Sequence, residues 1–302
     1  MAQIPPTAII SRNARPRLGI AGAGRVGSAL ARLLAARGWP VAGVWSRQAA
    51  SAQYLANQVG CAAWDTAQQL QYADLVLLCV PDQAIPDVAA QAAQAGGWRV
   101  NQGVVHCSGA VEVGALAPAQ TAGACIGGFH PLQAFATTEA AMAILPGSFF
   151  ALEGEGALRT WLPALVESLN GSYQWLRPGA RALYHAAAVF ASNYLVTLFA
   201  VAADLMQEAG FGADEAQEAL LPLTRGAVHN LGTVGLPTAL TGPIRRGDTA
   251  TVTRHLEALV DYAPPVAQLY LHLARHTVPL ARQLDAGHAQ QIDDLLERRT
   301  RS

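Results

Sequence analysis

The chain of 302 residues contains no lysine, and all twenty of its basic residues are arginine. That absence excludes Schiff-base chemistry, a phosphate-loop lysine and a lysine general acid, and it leaves any cationic or acidic role to Arg, His or a polar side chain. Charge of either sign is scarce, at 14% of residues, and the formal net charge is −1. So neutral a chain projects no basic field, which argues against nucleic acid as a partner. No CxxC pair occurs: Cys61, Cys79, Cys107 and Cys125 are far apart in sequence, each in an apolar, strand-like stretch. They read as small buried hydrophobes in a reducing cytoplasm. The stretch Met1–Arg17 has Pro5, Pro6 and several arginines but no apolar core of a signal peptide, and residues 1–16 read as a flexible tail.

Hydrophobic residues make up 52% of the chain, enough for a large buried core, and the length favours two domains. One run, Ala182 to Ala203, carries no fixed charge and is about long enough to cross a bilayer. It holds His185, Ser192, Asn193, Tyr194 and Thr197 and is closed by Asp204 and Glu208, so it is expected at the centre of a soluble core rather than in a membrane.

From Leu18 the pattern alternates strand and helix. Strands are expected at Leu18–Ala21, Val41–Trp45, Cys61–Trp64, Asp74–Val80, Val104–Cys107, Cys125–Phe129 and Phe149–Leu152, with helices over Arg25–Arg37 and Ala49–Val59. Unbroken apolar runs such as Leu75–Val80 suit parallel strands covered on both faces, which predicts a doubly wound α/β sheet.

The sequence Gly22-Ala23-Gly24-Arg25-Val26-Gly27 follows the first strand and opens the first helix. In that setting G-x-G-x-x-G is a dinucleotide-binding turn: Gly22 permits the turn, Gly24 lets backbone approach a pyrophosphate, and Gly27 allows close helix–strand packing. Dinucleotide enzymes that use NAD place Asp or Glu at the end of the second strand. Here Trp45-Ser46-Arg47 stands there, and a hydroxyl with a guanidinium suits the 2′-phosphate of NADP. Ligands of open α/β sheets bind at the carboxyl ends of strands. Val80-Pro81-Asp82 is therefore expected beneath the ribose–nicotinamide side, with His106-Cys107-Ser108-Gly109 and Gly128-Phe129-His130-Pro131 nearer the substrate.

Beyond Arg177 the strand signals stop, so residues 17–177 are expected as the nucleotide-binding domain and 178–298 as a helical substrate and dimerisation domain. A helix is expected from Ala180 to about Ala209, and Asp248 reads as the N-cap of a helix through Leu259. On the long helix Arg181, His185 and Ser192 share one face, with Asn193 on its flank. Such a polar column needs partners or a cavity, supplied either by a substrate pocket between the domains or by satisfied core groups at a dimer interface.

These segments, together with Tyr184-His185-Ala186-Ala187-Ala188, His130-Pro131-Leu132-Gln133 and Thr241-Gly242-Pro243-Ile244-Arg245-Arg246-Gly247-Asp248, resemble a family of Rossmann-like oxidoreductases whose C-terminal half is a domain of unknown function. More distantly, the layout is similar to β-hydroxyacid dehydrogenases, pyrroline-5-carboxylate reductase, ketopantoate reductase and prephenate dehydrogenase. The resemblance implies a Rossmann domain, a helical domain and an intertwined homodimer. In β-hydroxyacid dehydrogenases a Lys and an Asn four residues later act from the long helix, and here Arg181 and His185 stand in those places.

The resulting expectation is a cytoplasmic enzyme that moves hydride between NADPH and a carbonyl or imine of a small, carboxylate-bearing molecule. His185 would supply the proton, Arg181 would hold the carboxylate or the developing charge, Ser108 and Asn193 would orient the reacting group, and His130 would be a reserve acid. Three alternatives remain: an NADP-binding sensor or scaffold without turnover, an oxidoreductase linked to a deazaflavin, and a membrane-associated protein that uses Ala182–Ala203.

Overall fold

The computed structural model describes residues 15–301, so residues 1–14 of the expected tail lie outside the described residues. It divides at Ser192/Asn193 into two compact units.

The first unit is built on one eight-stranded sheet in the order β3-β2-β1-β4-β5-β6-β7-β8. Its strands are β1 (Leu18–Ala21), β2 (Val41–Trp45), β3 (Ala62–Trp64), β4 (Leu75–Leu78), β5 (Gly103–His106), β6 (Cys125–Pro131), β7 (Phe149–Gly154) and β8 (Ser172–Trp175). Neighbours from β3 to β6 pair in parallel, β7 runs antiparallel to β6, and β8 runs parallel to β7. The expected strands are all present. The eighth, Ser-Tyr-Gln-Trp, was not expected, because an edge strand with one mostly exposed row carries little apolar signal.

Alternation along the central strands divides the core in two. Leu75 and Leu77 of β4 face α1 (Arg25–Ala36) and α2 (Ala49–Val59), while Val76 and Leu78 face α3 (Ile85–Gln94) and α4 (Ala117–Thr121). Two further helices, α5 (Thr138–Ile144) and α6 (Leu158–Ser168), join the first of these layers, which completes the double winding. A seventh helix, α7 (Arg181–Ala191), also belongs to this unit, so the division falls one helix beyond Arg177.

The second unit is helical: α8 (Asn193–Glu208), α9 (Ala213–Val234), the short α10 (Gly242–Arg245), α11 (Thr249–Tyr262), α12 (Pro264–Arg282) and α13 (Ala286–Arg301). Its core is formed by Val252 and Leu256 of α11, Leu271 and Val278 of α12, and Ile292 of α13. Asp248 caps α11 as expected, accepting from the Thr251 amide at 3.0 Å.

Two expectations about the long apolar helix fail. Ser192 leaves helical geometry (φ −121°, ψ −71°) and separates α7 from α8. Ser and Asn compete for backbone hydrogen bonds and favour helix ends, which accounts for a break at Ser192-Asn193. Nor is the run a core helix: within Arg181–Glu208 the most apolar 18-residue window is only 6% buried, and Leu183 and Val196 are 76% and 70% exposed. By length and composition that segment could cross a membrane.

Small residues are required where Trp64 lies across the sheet. A Cβ on Gly43 would fall 2.2 Å from the Trp64 ring. Gly43→Ala is expected to cost about 1–3 kcal/mol through overpacking, measured by urea unfolding. Unchanged stability would show that the indole moves aside freely.

Candidate functional site

The glycine-rich turn stands where β1 enters α1. Gly22 has φ +108°, and a Cβ there would meet the Cys79 carbonyl at 2.5 Å; one on Gly27 would meet the Gly22 carbonyl at 2.0 Å. Both glycines are thus fixed by packing of the chain itself. Gly24 is different, because a Cβ there would meet nothing within 4 Å. No side chain caps α1 and its first turn has no acidic residue, so its leading N–H groups stay available to an anion.

This turn forms one wall of a cavity of about 650 Å³, lined also by Trp45, Ser46, Arg47, Cys79, Val80 and Pro81. The volume is that of an ordinary small-molecule site. Arg47 is exposed and makes no hydrogen bond or ion pair among the described residues. One carboxylate, Asp65, lines the cavity, but it follows β3 and not β2. The residues present therefore fit a phosphorylated dinucleotide: a turn with an uncrowded glycine, an uncapped helix start and a free guanidinium at the end of β2. Of the turn residues expected to bind, Arg25, Val26 and Gly27 do not line the cavity. Arg25 donates to the Phe135 and Ala136 carbonyls at 2.9 and 3.0 Å, which anchors the segment after β6, and Val26 packs against the core.

A second cluster gathers at the ends of β5 and β6 and the start of α7. The hinge of this cluster is Arg181, which is fully buried. Its Nε and Nη2 donate to Glu153 Oε2 of β7, and its Nη1 donates to the Ser108 carbonyl. Space for the guanidinium exists only because residue 128 is glycine, since a Cβ there would fall 2.1 Å from Nη2. The expected role of Arg181 as a substrate clamp does not suit a group that is enclosed with all three nitrogens engaged. Ser108 is likewise committed: its Oγ accepts from the Ala110 and Val111 amides at 3.1 and 3.0 Å, shaping the turn after β5.

That turn brings Gly109 against two imidazoles. A Cβ on Gly109 would lie 2.8 Å from His130 Nε2 and 3.0 Å from His185 Cδ2. His130 Nδ1 is 2.6 Å from the Tyr184 hydroxyl, with the rings edge to face. Burial first, then Arg181 and His185, hold the His130 pKa down at about 4, and burial pushes Tyr184 up to about 12. Both are uncharged at neutral pH. Asn193 opens α8 in the second unit and is exposed.

His106 is also fully buried, with no hydrogen-bond partner on either ring nitrogen. Burial, Arg181 and His130 lower its pKa to about 4, and its approach to the Glu112 backbone, short of hydrogen-bond geometry, offsets only part of this. Beside it, Cys79 and Cys107, 28 residues apart in sequence, meet with their sulfurs at 3.5 Å. The hydrogen bond with Cys79, then burial, holds the Cys107 thiol well above its ordinary pKa. Pairing of β4 with β5 at Leu78↔His106 makes the two cysteines neighbours, which sequence spacing does not reveal. Sequence reasoning also missed Glu153, the space that Gly128 leaves for Arg181, and the Tyr184–His130 contact. Glu153 had no motif to mark it, while Gly128 and Tyr184 stood in recognised segments beside the more conspicuous His130 and His185.

Comparison with known proteins follows these lines. Residues 1–131 match a Rossmann-like domain, and residues 148–277 match a domain of unknown function, DUF2520. No curated protein matches the sequence. Among solved structures, the chain is similar to an NADP oxidoreductase candidate from Bacteroides fragilis, at 24% identity and a TM-score of 0.66, covering 87% of this chain and 98% of that one. It is similar to a Thermotoga maritima protein at 23% identity and a TM-score of 0.71, covering 88% and 98%. A reductive aminase from Aspergillus terreus, in complex with NADPH and ethyl levulinate, gives 22% identity and a TM-score of 0.60, covering 93% and 99%. At these identities the likeness establishes the fold.

The buried imidazoles set a pH dependence. Each binds its proton near 6.5 when unfolded and near 4 when folded, so between those values the unfolded chain holds protons that the folded chain does not. Their contribution to stability is complete above pH 6.5 and is lost as pH falls towards 4. His106→Leu removes one proton from that slope and also removes two unsatisfied nitrogens, so it should leave stability at pH 7 unchanged or raised. Urea unfolding at pH 7 and pH 5 measures both effects, and an unchanged slope would mean that His106 is charged or solvated in the folded state.

Proposed function

We propose that this chain, a Rossmann-like domain followed by the DUF2520 domain, is an NADP-dependent oxidoreductase that moves hydride between NADPH and a carbonyl or imine carbon of a small molecule. The observation that carries this reading is the cavity in which Gly24 stands uncrowded at the start of α1 while Ser46 and the unpaired Arg47 close the end of β2. When bound, NADPH supplies the hydride.

The chain's own residues would do the rest. The Gly22–Gly27 turn and the start of α1 bind the pyrophosphate, with Ser46 and Arg47 on the 2′-phosphate and Val80 and Pro81 forming the floor. His185 supplies the proton that the reduced oxygen or nitrogen needs, from a half-buried position beside Gly109. His130 shares that position. Ser108 and Arg181 shape and hold the turn that carries Gly109. With Arg181 enclosed, the case for a carboxylate on the substrate loses its basis, so the substrate class is confined to carbonyls and imines.

The exposed apolar surfaces of α7 and α8, with Leu183 and Val196 outermost, support a soluble homodimer as the working form. Light scattering should give twice the 31.6 kDa chain mass. A monomer, or a chain that sediments only with lipid, would contradict it.

Nucleotide fluorescence titration tests the reading first. NADPH should bind at least about tenfold tighter than NADH, a difference of about 1.4 kcal/mol, and Arg47→Ala should close the gap. His185→Asn should lose most turnover while keeping NADPH affinity. Absence of binding by either nucleotide would remove the oxidoreductase reading, and full turnover in His185→Asn would remove the role of His185.

A further inference from the structure

We propose that Tyr184 fixes His130 in the tautomer that carries its proton on Nε2, making His130 a neutral hydrogen-bond donor to the oxygen or nitrogen of the reacting group. The tautomer assignment stands on the Tyr184–His130 contact and the acidity of its two groups, and its use in chemistry rests on the oxidoreductase reading above.

The Tyr184 oxygen and His130 Nδ1 lie 2.6 Å apart, and neither has a second partner among the described residues. One proton lies between them, and either atom could own it. A phenol, with a pKa of about 10, is a far stronger acid than a neutral imidazole N–H, and an imidazole nitrogen is a far stronger base than a phenol oxygen. The tyrosine therefore donates and Nδ1 accepts. A short contact is what O–H···N of that polarity produces. With Nδ1 occupied as an acceptor, the one ring proton of a neutral imidazole must sit on Nε2.

Neutrality follows from the surroundings. His130 is half-buried near the enclosed Arg181 guanidinium and beside His185, and both disfavour a second positive charge. The Nε2 edge meets Gly109, where even a methyl group would intrude to 2.8 Å. Glycine at that position lets the turn after β5 close against that edge. A neutral N–H donor suits a reduction: it polarises the acceptor bond, and it holds the charge that develops there without surrendering its proton. His185, one residue after Tyr184 on the same turn of α7, is then free to act as the acid. Tyr184 is a positioning residue in this scheme, while His130 touches the substrate.

Arg181 sets the position of both. It stands three residues before Tyr184 at the start of α7 and is anchored through Glu153 to β7, the strand that pairs with β6 at His130↔Ala151. The same guanidinium thus fixes where the tyrosine meets the histidine.

Long-range proton–nitrogen correlation spectra of the full chain, labelled with ¹⁵N-histidine, read the tautomer directly. His130→Gln identifies the signal among the eight histidines. In the unsubstituted chain at pH 7, His130 should show an unprotonated Nδ1 and a protonated Nε2. Tyr184→Phe should turn that into a mixture of tautomers and lower kcat about tenfold, with the KM for NADPH unchanged. A protonated Nδ1 in the unsubstituted chain would overturn the assignment, as would a Tyr184→Phe spectrum identical to it. The spectrum needs no substrate and no nucleotide, so failure of NADPH to bind would defeat the oxidoreductase reading without deciding the tautomer.

Discussion

A fully buried guanidinium is expensive, because a charge withdrawn from water must be paired and hydrogen-bonded or it will not stay. Arg181 meets that condition with the Glu153 carboxylate on one side and the Ser108 carbonyl on the other, in a space left by Gly128. Three pieces of chain distant in sequence are thereby joined: the turn after β5, the antiparallel strand β7 and the first turn of α7. The geometry of His130, Tyr184 and His185 depends on that junction, since two of the three ride on α7 and both histidines close on the turn that Ser108 shapes. Arginine suits the task better than lysine would, because a planar fork can satisfy two acceptors at once without losing its proton.

The same charge shapes the electrostatics around it. Burial keeps His106 and His130 neutral, and the Arg181 charge within their reach adds to it. Neutral imidazoles are donors and acceptors of defined tautomer, and they do not add to a positive field that a negatively charged nucleotide would already pull upon. The cavity at the glycine-rich turn and the imidazole cluster are linked through Cys79, which lines the first and touches Cys107, two residues before Gly109. A shift in the end of β4 would be felt in both places.

Most of the Rossmann-like half was legible in the sequence because parallel strands buried on both faces are written as apolar runs, and because the glycine turn has a fixed spacing. Ser46 and Arg47 could be located by counting to the end of β2. The polar cluster was legible only in part. His130 and His185 attracted notice as histidines at a strand end and on a helix, but their partners did not, since Glu153 and Gly128 meet Arg181 through an antiparallel strand pairing that no local pattern announces. Arg181 itself was found and given the wrong acceptor. A charged residue on an apolar helix can look inward to a protein carboxylate or outward to a ligand, and spacing along the helix does not distinguish these. The exposure of α8 has a similar origin, because apolar periodicity shows which residues seek cover and not what provides it.

The account stands on the Arg181–Glu153 pair, and a double-mutant cycle measured by urea unfolding tests it most directly. Arg181→Met and Glu153→Gln should each destabilise the first unit by about 3–5 kcal/mol, since each strands a buried partner, and the double variant should lose at least about 2 kcal/mol less than the sum of the two. Additivity within about 0.5 kcal/mol would show that the two groups do not depend on each other, and the site would then need another scaffold.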